Sequence, residues 1–149
     1  MADFYLTPAL GSDFPAIKAL IHETGINPMS LNWRRFRVAK TVEGDQLIGC
    51  GQLKPHSDGT VELASIAVVP DWRKKGIASA IIQALMAEGP RPLYLTCLSS
   101  NGPFYEKFGF RVVAGAELPK YFRRLSKVAG LFSALGMMRG KKMLVMQLD

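Results

Sequence analysis

The chain has 149 residues, 48% of them hydrophobic and 21% charged, with a formal net charge of +7. Such a composition can bury a core and is not that of a disordered chain, and the length suits one domain, residues 1–149. No apolar run approaches a membrane span, and the start MADFYLTPAL lacks the basic-then-apolar order of a secretion signal, so a cytoplasmic protein is expected.

Asp3 to Thr7 reads as a short edge strand closed by Pro8. Ser12 or Asp13 can cap the next helix, which has Pro15 in its first turn, a stripe of Ile17, Leu20 and Ile21, and a stop at Gly25. After the Asn27-Pro28 turn, residues 30–36 read as a short second helix. Residues 36–42 alternate as a half-exposed strand, Glu43-Gly44-Asp45 turns the chain, and Leu47 to Leu53 forms the next strand. The turn His56-Ser57-Asp58-Gly59 leads into a third, which makes an antiparallel meander.

That third strand begins the segment VELASIAVVPDWRKKGIASAIIQAL, residues 61–85. Val61, Leu63, Ala67 and Val69 lie on one face, and Ala64, Ile66 and Val68 on the other. Two apolar faces place the strand in the middle of a covered sheet. Pro70 and Asp71 close it, Trp72-Arg73-Lys74-Lys75 makes a cationic turn, and from Gly76 the apolar residues take helical spacing at Ile77, Ile81 and Leu85. The first turn of such a helix offers free N–H groups and a partial positive charge, and glycine lets a bulky anion approach. Three cations at the same place complete an anion receptacle, although they also suit an ordinary solvated turn. Neither GxxxxGK[ST] nor GxGxxG occurs, which sets aside a nucleoside triphosphate and a Rossmann dinucleotide.

Gly89-Pro90 breaks the chain before a strand from Leu93 to Leu98; strand, helix and strand of these lengths imply a parallel pair, so the sheet is mixed. Asn101 can cap a short helix with Pro103 early in it, Phe104, Tyr105 and Phe108 on one face, and Gly109 at its end. Phe110 to Val113 and Met143 to Leu148 supply the last strands. Cys50 and Cys97 read as small core residues, and with His22 and His56 they show no metal-ligand spacing, so no metal is expected.

The hexapeptide Arg73-Lys74-Lys75-Gly76-Ile77-Ala78 matches the [Q/R]-x-x-G-x-[G/A] signature of the GNAT-type N-acetyltransferases. Asn101-Gly-Pro-Phe-Tyr105-Glu-Lys-Phe-Gly109-Phe110 is similar to a second segment of that family, and the chain resembles it over residues 3–114 and the last strand. The resemblance implies an α/β (α+β) GNAT-like fold: a central mixed sheet of six to seven strands flanked by helices, with a basic helical insert before the last strand. It implies acetyl-CoA as cosubstrate, its pyrophosphate held by Arg73, Lys74, Lys75, Gly76, Ile77, Ala78 and Ser79. The pantetheine arm would lie against the backbone of Ile66, Ala67, Val68 and Val69, with an N–H near Val68 polarising the thioester carbonyl. Asn101 would contact the cofactor, helix capping being an equally good explanation for it. The first helical pair, with Trp33, would form one wall of the acceptor site.

Acyl transfer requires a neutral amine, which costs about 4–5 kcal/mol at pH 7 for a lysine-like group and about 1–1.5 for an α-amino group. Glu62 is the only carboxylate of the central strand, four and six residues before Ile66 and Val68 on their face. It matches the general-base position of several GNAT enzymes, the other reading being a charge at the solvated mouth of a strand. Tyr105 matches the family's general acid for the leaving thiolate, the other reading being a core aromatic.

Between Pro119 and Lys142 lie Lys120, Arg123, Arg124, Lys127, Arg139, Lys141 and Lys142 and no acid, while the rest of the chain carries twelve charges of each sign. In this insert, residues 118–142, the spacing of Leu118, Phe122, Leu125, Ala129 and Phe132 predicts a helix opening at Pro119, weakened later by Gly130, Gly136 and Gly140. A lid over the acceptor pocket, an anionic-membrane or nucleic-acid contact and an oligomer surface such as a homodimer's all remain open. The lid reading is preferred, without a nucleic-acid partner, because the segment lies between the last two strands. A lid bearing Tyr121, Arg123 and Arg124 would suit an acceptor with a carboxylate. The residues Pro92 to Leu98, followed closely by Phe104 to Phe110, also look like the amino-acid-acetylating branch of that family. The expectation is therefore an acetyl-CoA-dependent N-acetyltransferase acting on a primary amine of a small molecule such as an amino acid, by direct attack in a ternary complex. A protein lysine or N-terminus is the alternative acceptor. A non-catalytic acyl-CoA-sensing module that docks an acidic partner through 118–142 is the alternative function.

Overall fold

The computed structural model describes residues 3–136 and 140–149, without the side chains of residues 132 and 133. The side chain of Phe132, expected on the helical stripe, and Arg139, one of the seven insert cations, therefore lie outside the described residues. Among the described residues seven strands lie side by side in the order β1 (Phe4–Pro8), β2 (Phe36–Thr41), β3 (Leu47–Pro55), β4 (Val61–Val68), β5 (Leu93–Leu98), β7 (Met143–Leu148), β6 (Arg111–Val113). The residues group into two compact units, Met1–Lys54 with Leu63–Gly89, and Pro55–Glu62 with Pro90–Asp149. Strand β4 (Val61–Val68) contributes its first two residues to the second unit and the remainder to the first.

In the first unit, β1 (Phe4–Pro8) pairs antiparallel with β2 (Phe36–Thr41), Phe4 opposite Thr41, as an edge strand, and β2 pairs antiparallel with β3 (Leu47–Pro55), Phe36 opposite Gln52; β3 in turn neighbours β4, the order expected of the meander. Helix α1 (Phe14–Thr24) has Pro15 in its first turn, buries Ile17, Leu20 and Ile21, and stops at Gly25, whose φ of 72° only glycine adopts easily. Asp13 does not cap α1 with its side chain. Its Oδ2 instead accepts the Leu10 N–H at 2.8 Å and braces the short 3-10 turn Gly11–Asp13. Helix α2 (Ile77–Glu88) buries the predicted stripe of Ile77, Ile81 and Leu85, and Ile82 as well. Each such side chain contributes roughly 1.5–3 kcal/mol. Gly49 and Gly51 make this packing close: a Cβ on Gly49 would lie 2.9 Å from Ile77 Cγ2, and one on Gly51 2.6 Å from Ile66 Cδ1 and 2.8 Å from Ile81 Cγ2.

Two expectations fail in this unit. Residues 30–36 are not a helix: Trp33–Arg35 is a single 3-10 turn, in which Asn32 accepts the Arg34 N–H at 3.1 Å, and Phe36 is already the buried first residue of β2. Nor does β4 alternate without interruption. Ser65 sits at φ 60° in mid-strand, buried, with its Oγ accepting from Gln52 Nε2 at 2.8 Å. A left-handed residue resets the two-residue period, so counting by parity from Glu62 to Ile66 and Val68 does not place them on one face.

In the second unit, β5 (Leu93–Leu98) pairs parallel with β4, Glu62 opposite Tyr94. It pairs antiparallel with β7 (Met143–Leu148), which pairs in turn with β6 (Arg111–Val113). Helix α3 (Gly102–Glu106) is one short turn. Helix α4 (Lys120–Ala134) runs through Gly130, further than its glycines implied, and Gly136 at φ 77° follows it. Phe122, fully buried, joins Leu118, Tyr94, Val113 and Val145 in the core of this unit, so the apolar stripe of α4 is a packing face. Among the described residues no helix is long and apolar enough to cross a membrane.

Candidate active site

The predicted anion receptacle has the backbone such a site needs. After Val68, a 3-10 turn at Pro70–Trp72 reverses the chain, and Lys74 and Gly76 take φ values of 62° and 82°, with Lys75 between them. Alternation of left- and right-handed residues turns neighbouring amide N–H groups to one side, where they can surround an anion. Gly76 is the N-cap of α2 and supplies no side-chain cap, so the N–H groups of Ile77, Ala78 and Ser79 have no intrahelical partner. A Cβ built on Gly76 would meet nothing within 4 Å, which leaves the approach to these amides open. Arg73 Nε donates to the Val68 carbonyl at 3.3 Å and ties the turn to the strand end, and the Lys75 ammonium stands 5.7 Å from the Trp72 ring centre.

Beside this turn lies an open cavity of about 300 Å³, lined by Ile66, Ala67, Val68, Arg73 and Ala78 together with Thr24 and Ile26. Predicted cofactor residues from the strand and from the turn thus meet in one apolar slot that begins at free amides and cations. That donor set fits a diphosphate joined to a long neutral arm. Ile77 can contribute only its N–H, because its side chain is buried against β3.

Glu62 is 7% exposed, so it is not a charge at a solvated strand end. Its Oε1 stands 2.8 Å from His56 Nε2, and its Oε2 accepts from Thr96 Oγ at 3.4 Å. The imidazole of His56 stacks on Tyr121 with ring centres 3.5 Å apart and planes 12° from parallel, and Phe122 meets it edge-on at 5.7 Å. Asp58 Oδ2 accepts the Tyr121 N–H at 2.9 Å, while Asp58 Oδ1 holds the Thr60 amide and hydroxyl. Burial, then the negative charges of Glu62 and Asp58, push the Tyr121 phenol above its ordinary pKa. Burial acts upward on Asp58 too, but the bonds from Thr60 and the Tyr121 amide outweigh it and leave that carboxyl below the usual range.

Sequence reasoning missed His56, Asp58 and Thr96. They come from a hairpin turn and a different strand, and no spacing in the chain announces their convergence. The one available signal was the turn itself: His56 N–H donates to the Thr60 carbonyl at 2.9 Å, which closes the hairpin and brings position 56 back beside the start of β4.

Tyr105 is half-buried, and burial, with a smaller contribution from Cys97, pushes its phenol up to about 12. Its ring meets Phe104 and Phe110 edge-on at 5.1 and 6.3 Å. Phe104 is 37% exposed and meets Phe108 as well, at 5.4 Å. Cys97 is half-buried and not a core residue. Asn101 precedes α3 but makes no side-chain cap, so the structural explanation for it falls away.

The expected acceptor-site residues divide. Tyr121 reaches Glu62's surroundings through His56. Arg123 donates to the Leu118 carbonyl at 3.0 Å, and Arg124 is exposed. Trp33 packs partly buried against the core of the first unit, with the Arg34 guanidinium 4.4 Å from its ring centre. Among the described residues no group of His, Cys, Asp and Glu is placed to hold a metal ion.

A family model described as an acetyltransferase (GNAT) domain matches residues 32–112, more than half of the chain. The N-acetylglutamate synthase of Neisseria gonorrhoeae, complexed with coenzyme A and N-acetyl-glutamate, has a similar structure, with a TM-score of 0.74 and 22% identity over 100% of this chain and 36% of that one. The chain thus spans about a third of the length of that synthase. Rv2747 from Mycobacterium tuberculosis, in complex with CoA, has a TM-score of 0.67 and 21% identity over 95% of this chain and 97% of its own. Ard1 from Thermoplasma volcanium has 0.64 and 15%, over 98% and 97%. At these identities the likeness is one of fold. The family match spans the cationic turn and the aromatic segment at once, and on it the chain belongs to the GNAT acetyltransferase family.

Proposed function

We propose that the chain transfers an acetyl group from acetyl-CoA to the primary amine of a small molecule carrying a carboxylate, such as an amino acid, by direct attack in a ternary complex. The observation that carries the reading is the buried carboxylate of Glu62, with one oxygen held by His56 and the other bonded only weakly, in a chain of this family. When bound, acetyl-CoA supplies a thioester carbonyl and a thiolate leaving group. The amides of residues 76–79 and the side chains of Arg73, Lys74 and Lys75 bind and orient its diphosphate, and the slot along Ile66 to Val69 excludes water from its arm.

Glu62 takes a proton from the acceptor ammonium, which is required because an amine is a nucleophile only when neutral. Tyr105 holds its proton to about pH 12 and gives it to the departing sulfur. Arg123, Arg124 and Tyr121 on α4 select a carboxylate-bearing acceptor, and Trp33 is a further acceptor-binding residue. N-acetyl-glutamate is named in the synthase complex, which supports an amino-acid acceptor.

The experiment is a turnover screen with acetyl-CoA, reading free thiol, across the nineteen free amino acids other than cysteine and a set of cysteine-free lysine and N-terminal peptides. Turnover with free amino acids is expected, and activity confined to peptides would overturn the acceptor assignment. The rival, a non-catalytic module docking an acidic partner, draws on the exposed Val128, Leu131 and Leu135 beside the cations of α4. Absence of thiol release with every amine, together with intact CoA binding, would favour it.

A further inference from the structure

A buried carboxylate ordinarily collects two or three donors, because each unsatisfied lone pair costs free energy away from water. Glu62 has one short bond, from His56 at 2.8 Å, and one long bond, from Thr96 at 3.4 Å. The two oxygens are therefore not equivalent: Oε1 is engaged, and Oε2 retains capacity for another donor.

The ring that engages Oε1 is held through its backbone, by a stacked ring and by a perpendicular one. Its backbone is pinned by the hairpin, His56 N–H to the Thr60 carbonyl at 2.9 Å and Gly59 N–H to the His56 carbonyl at 3.0 Å. One face lies flat on Tyr121, the edge of the fully buried Phe122 blocks rotation, and Tyr121 is itself tied by its N–H to Asp58. An imidazole so clamped cannot turn about its Cβ–Cγ bond without leaving the stack. The side chains of both partners are under a tenth exposed, so no water competes freely for the bond.

We infer that His56 is a positioning residue for the transfer reaction: its Nε2 holds Glu62 Oε1 and so presents Oε2 as the oxygen that receives the proton of the acceptor amine. The inference rests on the reading of Glu62 as the base. In the step, one N–H bond of the ammonium breaks and one O–H bond forms at Oε2, while the His56 bond to Oε1 is kept throughout. Thr96 supports Oε2 from β5 at a distance long enough to yield to an incoming donor.

Two substitutions separate positioning from packing. His56→Phe keeps a flat ring for Tyr121 and Phe122 but removes the donor; His56→Gln loses the stack but can place an amide N–H where Nε2 stands. Thiol release from acetyl-CoA is measured with an equimolar mixture of the nineteen free amino acids other than cysteine, together with thermal unfolding of each variant. His56→Phe is expected to lower kcat by about 10²-fold, the scale of a misplaced reacting group, with the KM for acetyl-CoA unchanged. His56→Gln is expected to recover at least a tenfold share of that loss. If His56 only packs, the order reverses and Phe is the more active variant, which overturns the inference. Should His56→Phe not fold, His56→Asn, whose amide is too short to reach Oε1, takes its place, and wild-type activity in it overturns the inference equally. Glu62→Gln is run alongside. If it keeps wild-type turnover, or the wild type shows none with the mixture, the reading of Glu62 as base fails and takes this inference with it; if it loses turnover while His56→Phe does not, only the role of His56 fails.

Discussion

The cationic turn before α2 and the cluster around Glu62 solve opposite problems. The turn works with backbone: left-handed Lys74 and Gly76, uncapped amides and solvent-exposed cations, all within a few consecutive residues. The cluster works with groups gathered from positions 56, 58, 62, 96 and 121, joined by hydrogen bonds and a ring stack around the buried Glu62, with His56, Thr96 and Tyr121 half-buried and Asp58 exposed. A site that must hold a large anion can be local and open, because phosphate is read by N–H groups that any sequence possesses. A site that must move one proton has to fix one oxygen, which takes partners from several elements.

If this division is right, substitutions in the two regions should separate binding from turnover. The largest effect belongs to the cluster and its acid. Glu62→Gln or Tyr105→Phe should lower kcat by about 10²-fold or more and leave CoA affinity, measured by calorimetry, nearly unchanged. The phenol of Tyr105 should titrate spectroscopically near pH 12, well above an ordinary tyrosine, so the acid form persists throughout the assay range. Gly76→Ala should do the reverse. A side chain at φ 82° costs about 1–2 kcal/mol and disturbs the amide cradle, so CoA should bind roughly tenfold more weakly while kcat at saturating acetyl-CoA holds.

The smallest effect tests how the cluster is assembled. Asp58→Ala removes the acceptor for the Tyr121 amide at the start of α4, a loss of about 1 kcal/mol in urea unfolding. The pH dependence has a definite sign. The folded-state pKa of Asp58 lies below its ordinary value, so its stabilising contribution is complete above the usual carboxylate range and is lost as pH falls through the depressed value. The gap in stability between wild type and Asp58→Ala should accordingly close in acid and stay constant near neutrality.

The contrast also explains what could be read in advance. The meander, the parallel crossing at β4 and β5, the α2 stripe and the slot-lining residues Ile66, Ala67, Val68, Arg73 and Ala78 follow from short-range periodicity and from a motif contiguous in the chain. Glu62 and Tyr105 could be nominated because each stands at a fixed offset from such a motif. His56 was not, since an isolated histidine in a polar turn looks the same whether or not a carboxylate lies across the hairpin. Residues 30–36 misled because Trp33, Arg34 and Arg35 have no helix-breaking residue among them, whereas burial of Phe36 in β2 decides the backbone there. The insertion of β7 between β5 and β6 depends on pairing over long separations, which local pattern does not report.

Ser65 bears on which length changes the chain tolerates. Its left-handed backbone joins two pleated halves of β4 that are out of phase by one residue. Deleting it would splice those halves into one regular ribbon and turn Ile66 away from Gly51, Ile81 and Leu85. The apolar slot that Ile66 helps to line would then be disturbed by the loss of a single residue, so a one-codon deletion there should be more damaging than most substitutions at the same position.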